Sequence, residues 1–373
     1  MVWHPAMSPF PFDRPLRADE VTGRDAELAA LVERVVGGRF VTLIAPRRYG
    51  KTSLVNALAD HLERTEDLPT LRVDLFGLAS MADLAVRLDA AYRAGAAGRL
   101  RALLRALLRN LQIDLALGPA SVAATFAQDP ARDPVPIVHG LLELPRQLAT
   151  ERGSRVLVVV DEFQGIAAVD GADGLVRSHI QHHSAEVSYL FAGSEPHLTE
   201  LLFSDTARPL YGQAELLTLP PLPGPALAQY IADRFEATSR DAGAGADRIA
   251  ALTGGHPQRS LLLAHELWER TLVGAPADDE ALPAALEAAL GRLGGEFTAL
   301  WAGLAGNEAR VLRAVAHGHS PFARSSAALD LKKQSVRHPL TALVRRGVLR
   351  SAGAGWELVD PLLALWIRDT FPL

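Results

Sequence analysis

The sequence predicts an α/β chain. A parallel five-stranded sheet with helices on both faces leads into an α-helical segment and a C-terminal helix-turn-helix with a wing. Three observations carry this prediction. Five apolar runs of strand length alternate with helical patterns through the first 220 residues. Several of these runs are continuous and β-branched rather than alternating, as expected of strands covered on both faces in a parallel sheet. The segment Pro220-Pro221-Leu222-Pro223-Gly224-Pro225 then breaks the pattern, and beyond it the periodicity is helical.

Taken in order, the first run is Phe40-Val41-Thr42-Leu43-Ile44, followed by a helix from Thr52 to about Leu62. Leu71 to Leu75 is a second, weaker run. Arg155 to Val160 is apolar on both faces, and Val187 to Ala192 and Glu215 to Leu219 complete the five. Ala226 to Leu290 reads as helical, interrupted at Thr253-Gly254-Gly255-His256-Pro257 and again around Gly274 to Asp279. Short helices follow, then the turn Ala352-Gly353-Ala354-Gly355 and the strand-like Trp356 to Val359. These shifts set expected domains at residues 1–222, 223–292 and 293–373. No internal repeat is evident, and the Pro-rich stretches Ser8 to Pro15 and Pro130 to Pro136 read as ordered loops.

Composition narrows the function classes. With 49% hydrophobic and 22% charged residues over 373 positions, the chain can bury a sizeable core and is not globally disordered. The absence of cysteine excludes disulfides, Cys-ligated zinc and a thiol nucleophile. With 38 basic and 43 acidic residues the net charge is −5, so the molecule is no polycation. Of the basic residues, 35 are Arg and three are Lys, a skew that fits the codon usage of a GC-rich genome. Met1 to Pro5 lacks the pattern of a secretory signal, and no window approaches the ~18 apolar residues of a membrane span, so the cytoplasm is expected. Gly98 to Gln112 has an Arg101, Arg105, Arg109 stripe opposite leucines. It could lie on a membrane surface, but a helix packed on its own domain is the simpler reading.

The chemistry begins after the first strand, at Ala45-Pro46-Arg47-Arg48-Tyr49-Gly50-Lys51-Thr52. This matches the phosphate-binding loop G-x-x-x-x-G-K-[ST], except for Ala45 at the first glycine. Backbone N–H groups and the following helix N-terminus suit an anion, and Gly50 lets the backbone approach it. Lys51 is expected at the β- and γ-phosphates and the Thr52 hydroxyl on Mg²⁺. Its partner is Val156 to Glu162, an apolar strand ending in two carboxylates, roughly 110 residues downstream. Asp161 is expected to hold Mg²⁺ through water, and Glu162 to orient and deprotonate the attacking water.

Weaker signals follow. Ser194, at the end of Phe191-Ala192-Gly193-Ser194, is a candidate polar sensor of the γ-phosphate, with a simple Gly-Ser turn as the alternative. Arg208 is a candidate γ-phosphate contact, in cis or across an interface, although surface arginine is so frequent here that the structural reading is favoured. His179, His182 and His183 share a helix face at i, i+3, i+4, but no carboxylate or cysteine of matching spacing accompanies them, so a helix surface is the default. No Gly-x-Ser-x-Gly elbow surrounds Ser194.

Together these motifs resemble those of the STAND-type and archaeal-type AAA+-like P-loop ATPases of the ASCE class. Thr22-Gly23-Arg24-Asp25-Ala26-Glu27-Leu28 resembles the box preceding their phosphate loop, and Ala45 to Leu54 is similar to their GPRRxGKTSL, including Ser53. Val159 to Gln164 resembles their Walker B, Ser178 to Ser194 their sensor region, Gly255-His256-Pro257 the GxP of their helical lid, and Asp360 to Arg368 the end of their winged helix. The resemblance spans about residues 10 to 370. It implies ATP or ADP with Mg²⁺, with Thr22, Gly23 and Arg24 near adenine or ribose and His256-Pro257 contacting nucleotide from the lid. It also implies a switch in which lid and winged helix close over nucleotide. The lid lacks the Gly-Asp-x-Arg form of origin-recognition initiators, which argues against Arg259 as a sensor.

The C-terminal module has its own charge. From Gly306 to Arg350, nine basic residues (Arg310, Arg313, Arg324, Lys332, Lys333, Arg337, Arg345, Arg346, Arg350) face two acidic ones (Glu308, Asp330), a local +7. Ala323 to Leu331 and Gln334 to Arg346 read as a helix-turn-helix followed by a wing, with Pro339 capping or kinking the second helix. DNA contact through residues 310–350 is one expectation, and a basic face for a protein partner or a homo-oligomer is the other. The leading expectation is a nucleotide-operated switch ATPase; a DNA-binding AAA+-like loader or regulator is the alternative.

Overall fold

A computed structural model describes residues 8–94, 99–111, 113, 121–322, 336–353 and 355–372. The chain divides into two compact units whose segments interleave: residues 26–45 with 54–219, and residues 1–25 with 46–53 and 220–373.

The first unit holds the sheet. Strands β1 (Val41–Ile44), β2 (Thr70–Asp74), β3 (Val156–Asp161), β4 (Val187–Gly193) and β5 (Glu215–Thr218) are all parallel, in the order β2-β3-β4-β1-β5. All five expected runs are strands, each within a residue or two of its predicted span. Every residue of β1 and β4 is buried, which explains why these runs show no polar alternation. Of their two aliphatic hydroxyls, that of Ser188 in β4 donates to the Val35 carbonyl at 2.7 Å, whereas the buried Thr42 hydroxyl of β1 makes no hydrogen bond among the described residues.

Around the sheet lie α1 (Asp25–Val36), α2 (Lys51–Thr65), α3 (Met81–Ala94), α4 (Arg99–Asn110), α5 (Ser121–Gln128), α6 (Val135–Arg152), α7 (Ala172–Ile180) and α8 (Pro196–Ser204). The arginine-striped α4 is a packed helix: Leu104 and Leu108 are buried in the sheet unit's core. Leu107 lies so close to Gly140 of α6 that a Cβ there would meet it at 2.5 Å. Each such leucine contributes about 1.5–3 kcal/mol of apolar burial, which a solvated membrane-surface helix would forgo.

The second unit contains α9 (Gly224–Glu236), α10 (Gly245–Thr253), α11 (Pro257–Arg270), α12 (Ala281–Ala302), α13 (Gly306–Ala316), α14 (Arg337–Arg345), the antiparallel hairpin β6 (Leu349–Ala352) and β7 (Gly355–Leu358), and α15 (Pro361–Thr370). One core runs through all of it, from Phe10 and Phe235 to Phe297, Leu343 and Ile367. The boundary expected at residue 292 falls inside α12, because the apolar face of that helix continues unbroken from Leu282 to Phe297. Pro339 occupies the first turn of α14, where its missing N–H costs nothing, a position that fits the cap rather than the kink. The expected helix Ala323 to Leu331, with Arg324, Lys332 and Lys333, lies outside the described residues. Among the described residues, no helix is long and apolar enough to cross a membrane.

Candidate functional site

In the sheet unit, strand order decides which residues meet at the carboxyl edge. β4 lies between β1 and β3, with Ile44 paired to Gly193 and Val160 to Phe191. Ala45, Asp161-Glu162 and Gly193-Ser194 therefore leave from adjacent strand ends. Ala45 is fully buried, and its N–H donates to the Gly193 carbonyl at 3.4 Å.

Glu162 follows the strand in the left-handed conformation, φ 49°, uncommon for a residue with a side chain and costing about 1–3 kcal/mol. Its N–H donates to Asp161 Oδ1 at 2.9 Å. Ser194 Oγ donates to Glu162 Oε2 at 2.6 Å, so the candidate sensor and the candidate base are direct partners. The Gln164 amide donates to the same carboxylate oxygen, and Thr199 Oγ1 donates to Gln164 Oε1 at 3.4 Å. Thr199 carried no chemical signal in the sequence, and Gln164 entered only as the last residue of the Walker B-like segment. Gly193 did carry one in retrospect: a Cβ there would meet Thr199 Oγ1 at 1.9 Å, so only glycine lets α8 approach the strand end. Arg208 is half-exposed and lies 3.8 Å from Asp173 of α7.

In the second unit, the loop residues 46–53 are held from several sides. Gly50 has φ 84° and Arg48 φ 68°. Arg47 is exposed, Lys51 is 7% exposed at the start of α2, and the Thr52 side chain is exposed in its first turn. Arg24 is buried and donates to the Tyr49 carbonyl at 3.3 Å, while Ser53 Oγ accepts from the Leu16 N–H at 2.9 Å. Thus Arg24 braces the loop backbone. The N-terminal segment is itself anchored by Glu20. The Arg14 fork donates to both its oxygens at 2.8 Å and holds the carboxyl well below the usual range, at about 2.

Tyr49 is 2% exposed. Its hydroxyl, pushed to higher pKa by burial, accepts from Arg350 of β6 at 2.9 Å, and its ring meets His256 edge-on at 4.9 Å. Arg48 donates to both oxygens of Glu296 on α12, at 2.7 and 2.8 Å. Two residues expected only to wrap phosphate are therefore tied to the helical and hairpin elements, through partners 248 and 301 residues away in sequence.

The Gly255-His256-Pro257 turn starts α11. Gly255 has φ 77°, and a Cβ would lie 2.1 Å from the Leu222 carbonyl, so glycine is required. His256 caps the helix, its Nδ1 accepting from the Arg259 N–H at 3.3 Å. Burial drives its pKa down to about 4, leaving a neutral ring. Arg259, 1% exposed, donates to Asp360 at 2.8 Å, consistent with a structural rather than a sensing arginine. Pro257 joins Thr22, Gly23, Leu222, Ala226 and Tyr230 around a small apolar cleft, part of it open to solvent. Its apolar lining suits a flat aromatic group.

The basic module is less available than its charge implied. Arg346 pairs with Glu308 at 2.9 Å, Arg350 pairs with Glu357, and Arg313 donates to the Phe371 carbonyl at 3.1 Å. Arg337 and Arg345 are exposed.

No protein-family model matches the sequence, and no curated protein matches it either. Among solved structures, the chain is similar to a Walker-type ATPase of Pyrococcus abyssi, with a TM-score of 0.70 and 20% identity over 96% of this chain and 99% of that one. It is also similar to the ORC2 protein of Aeropyrum pernix in its ADPNP-ADP complexes, with a TM-score of 0.58 and 14% identity over 98% and 99% of the two chains. The ADP form of that protein gives a TM-score of 0.54 and 15% identity over 96% of each chain. The fold is that of the P-loop ATPases: a five-stranded parallel sheet with flanking helices and a helical C-terminal region.

Proposed function

We propose that the chain is an ATP-binding and ATP-hydrolysing switch ATPase of the AAA+-like, STAND-related kind, acting in the cytoplasm on a protein partner or on further copies of itself. Lys51 neutralises phosphate charge, and the apolar cleft beside Thr22, Gly23 and Pro257 takes the base. Thr52 and Asp161 offer the hard oxygen donors that Mg²⁺ prefers, and the ion when bound would offset charge on the phosphates. Glu162, aimed by Ser194 and Gln164, accepts the proton of the attacking water.

The observation that carries the switch is the tethering of the phosphate loop by Arg48 to α12 and by Tyr49 to β6 and the His256 cap. A change in the loop's phosphate contacts competes with those tethers, and so biases the elements that hold them. The test is nucleotide binding and turnover on the purified chain. Lys51→Ala should weaken ATP binding roughly 10- to 100-fold, the size of a lost charge-assisted contact. Glu162→Gln should keep binding and lower turnover at least about 100-fold. Undiminished binding in the first variant would refute the site, and undiminished turnover in the second the base.

The DNA-binding reading draws on the exposed Arg337 and Arg345 of α14, beside the β6–β7 hairpin, together with Lys332 and Lys333. It predicts salt-dependent retention of duplex DNA that is lost on neutralising Lys332, Lys333 and Arg337. The winged-helix assignment of the C-terminal module belongs to this proposal as well.

A further inference from the structure

His179 on α7 and His183 in the turn that follows it have a carboxylate partner after all, supplied by another helix. Glu143 lies on α6, 40 residues before His183. Its Oε2 is 3.2 Å from His183 Nε2 and 3.6 Å from His179 Nδ1, and the three ligating atoms all fall within 4.8 Å of one another. A tetrahedral ion with ~2.0–2.1 Å bonds needs its ligand atoms about 3.3 Å apart, so two of these contacts already have the required spacing. The third, between the two imidazole nitrogens, is no longer than 4.8 Å.

The outer contacts point the same way. A metal-bound imidazole needs a partner on its other nitrogen to set its tautomer and orientation. His183 Nδ1 lies 2.9 Å from the Tyr189 hydroxyl on β4, and His179 Nε2 lies 2.8 Å from His139 Nδ1 on α6. Arg146 engages the other oxygen of Glu143, which leaves Oε2 facing the imidazoles. The group is sheltered, with His183 1%, His179 15% and Glu143 24% exposed. Burial lowers the pKa of both rings. His182, the third histidine of the sequence pattern, is exposed and stays out of the cluster.

We propose that Glu143, His179 and His183 form a binding site for a divalent transition-metal ion of the zinc class, with His139 and Tyr189 as outer supports and a fourth position open to water. Two nitrogens and one oxygen select such an ion over Mg²⁺. Occupancy would link α6 to the turn that joins α7 to β4, within the sheet unit and through none of the residues assigned to nucleotide. Without an ion the same contacts would simply be a hydrogen-bonded network of three helix and turn residues.

The test is metal titration of the full chain, without a histidine tag and after chelator treatment and desalting. Zn²⁺ should bind with one saturable equivalent by calorimetry, and Co²⁺ should bring up the visible absorption of a low-symmetry, tetrahedral-type site. Millimolar Mg²⁺ should not displace either ion. His179→Ala should abolish the Co²⁺ signal, and His139→Ala, at an exposed position, should weaken binding about 10- to 100-fold. Asp161→Asn should bind Zn²⁺ as the wild type does, which keeps this outcome separate from that of the nucleotide site. Absence of one-equivalent uptake by the wild type would overturn the proposal, as would wild-type binding in both His179→Ala and His179→Gln.

Discussion

Protonating His256 is a perturbation whose size follows from where the ring sits. Its Nδ1 accepts the Arg259 N–H that begins α11, its edge meets Tyr49, and it is 3% exposed. An imidazolium would lose that acceptor and place a cation near Arg259 and Arg48, and burial alone already penalises it. The pKa is accordingly lowered from 6.5 to about 4 in the folded chain. Between those values the unfolded chain binds more protons than the folded one. The stabilisation is therefore complete above about pH 6.5, declines as pH falls toward about 4, and is constant below that. Integrating the two titrations gives about 2 kcal/mol less stability at pH 5 than at pH 7.5, rising to about 3 kcal/mol below pH 4.

The assay is urea unfolding at pH 7.5 and 5.0 for the wild type and for His256→Asn, which keeps an acceptor at the N-cap but does not titrate. The variant should be weaker at pH 7.5, having lost the ring against Tyr49. Its loss of stability on going to pH 5 should nevertheless be smaller by about 2 kcal/mol. His179, His183 and His265 also have lowered pKa values, and their contributions cancel in the difference between the two proteins. Equal pH-dependent losses in both, within about 0.5 kcal/mol, would refute the assignment of a buried neutral cap.

Three further outcomes follow from single contacts. Asp360→Ala leaves the buried Arg259 guanidinium only Gln258 at 2.9 Å and Glu296 at 3.4 Å, and removes the acceptor, Asp360 Oδ1, of the Leu362 N–H at 3.0 Å, so unfolding free energy should fall by about 2–3 kcal/mol. Asp360→Asn, which keeps the cap, should recover about 1 kcal/mol of that. Gly193→Ala should cost about 1–3 kcal/mol by forcing Thr199 away from the strand end, and Thr199→Ala in the same chain should return part of it in a thermal melt. Ser194→Ala removes the 2.6 Å donor to Glu162, so kcat for ATP should fall roughly 10-fold or more with little change in KM; an unchanged kcat would refute its role in aiming the base.

Much of this molecule is legible in local sequence, for an identifiable reason. Strands buried on both faces must be continuously apolar, so β1, β3 and β4 announce themselves. Backbone constraints are equally local: Gly50 before Lys51, and Gly255-His256-Pro257 opening α11, are short patterns because the turn and the cap are made by neighbours. Asp161 and Glu162 can be read because a carboxylate pair ending an apolar strand is itself a pattern.

What only the tertiary structure decided are the pairings between side chains far apart in sequence, which leave no periodic trace. Strand order put Ser194 on Glu162. Folding of the second unit brought Arg350 to Tyr49 and Glu296 to Arg48, giving a phosphate loop that is braced by distant elements. The local +7 of residues 306–350 promised a free basic face, but Arg313, Arg346 and Arg350 are spent on internal acceptors, because charge counts carry no information about partners. The histidines show the same limit from the other side. His179 and His183 looked unsupported along their own helix, and it took the packing of α6 beside α7 to set Glu143 and His139 against them.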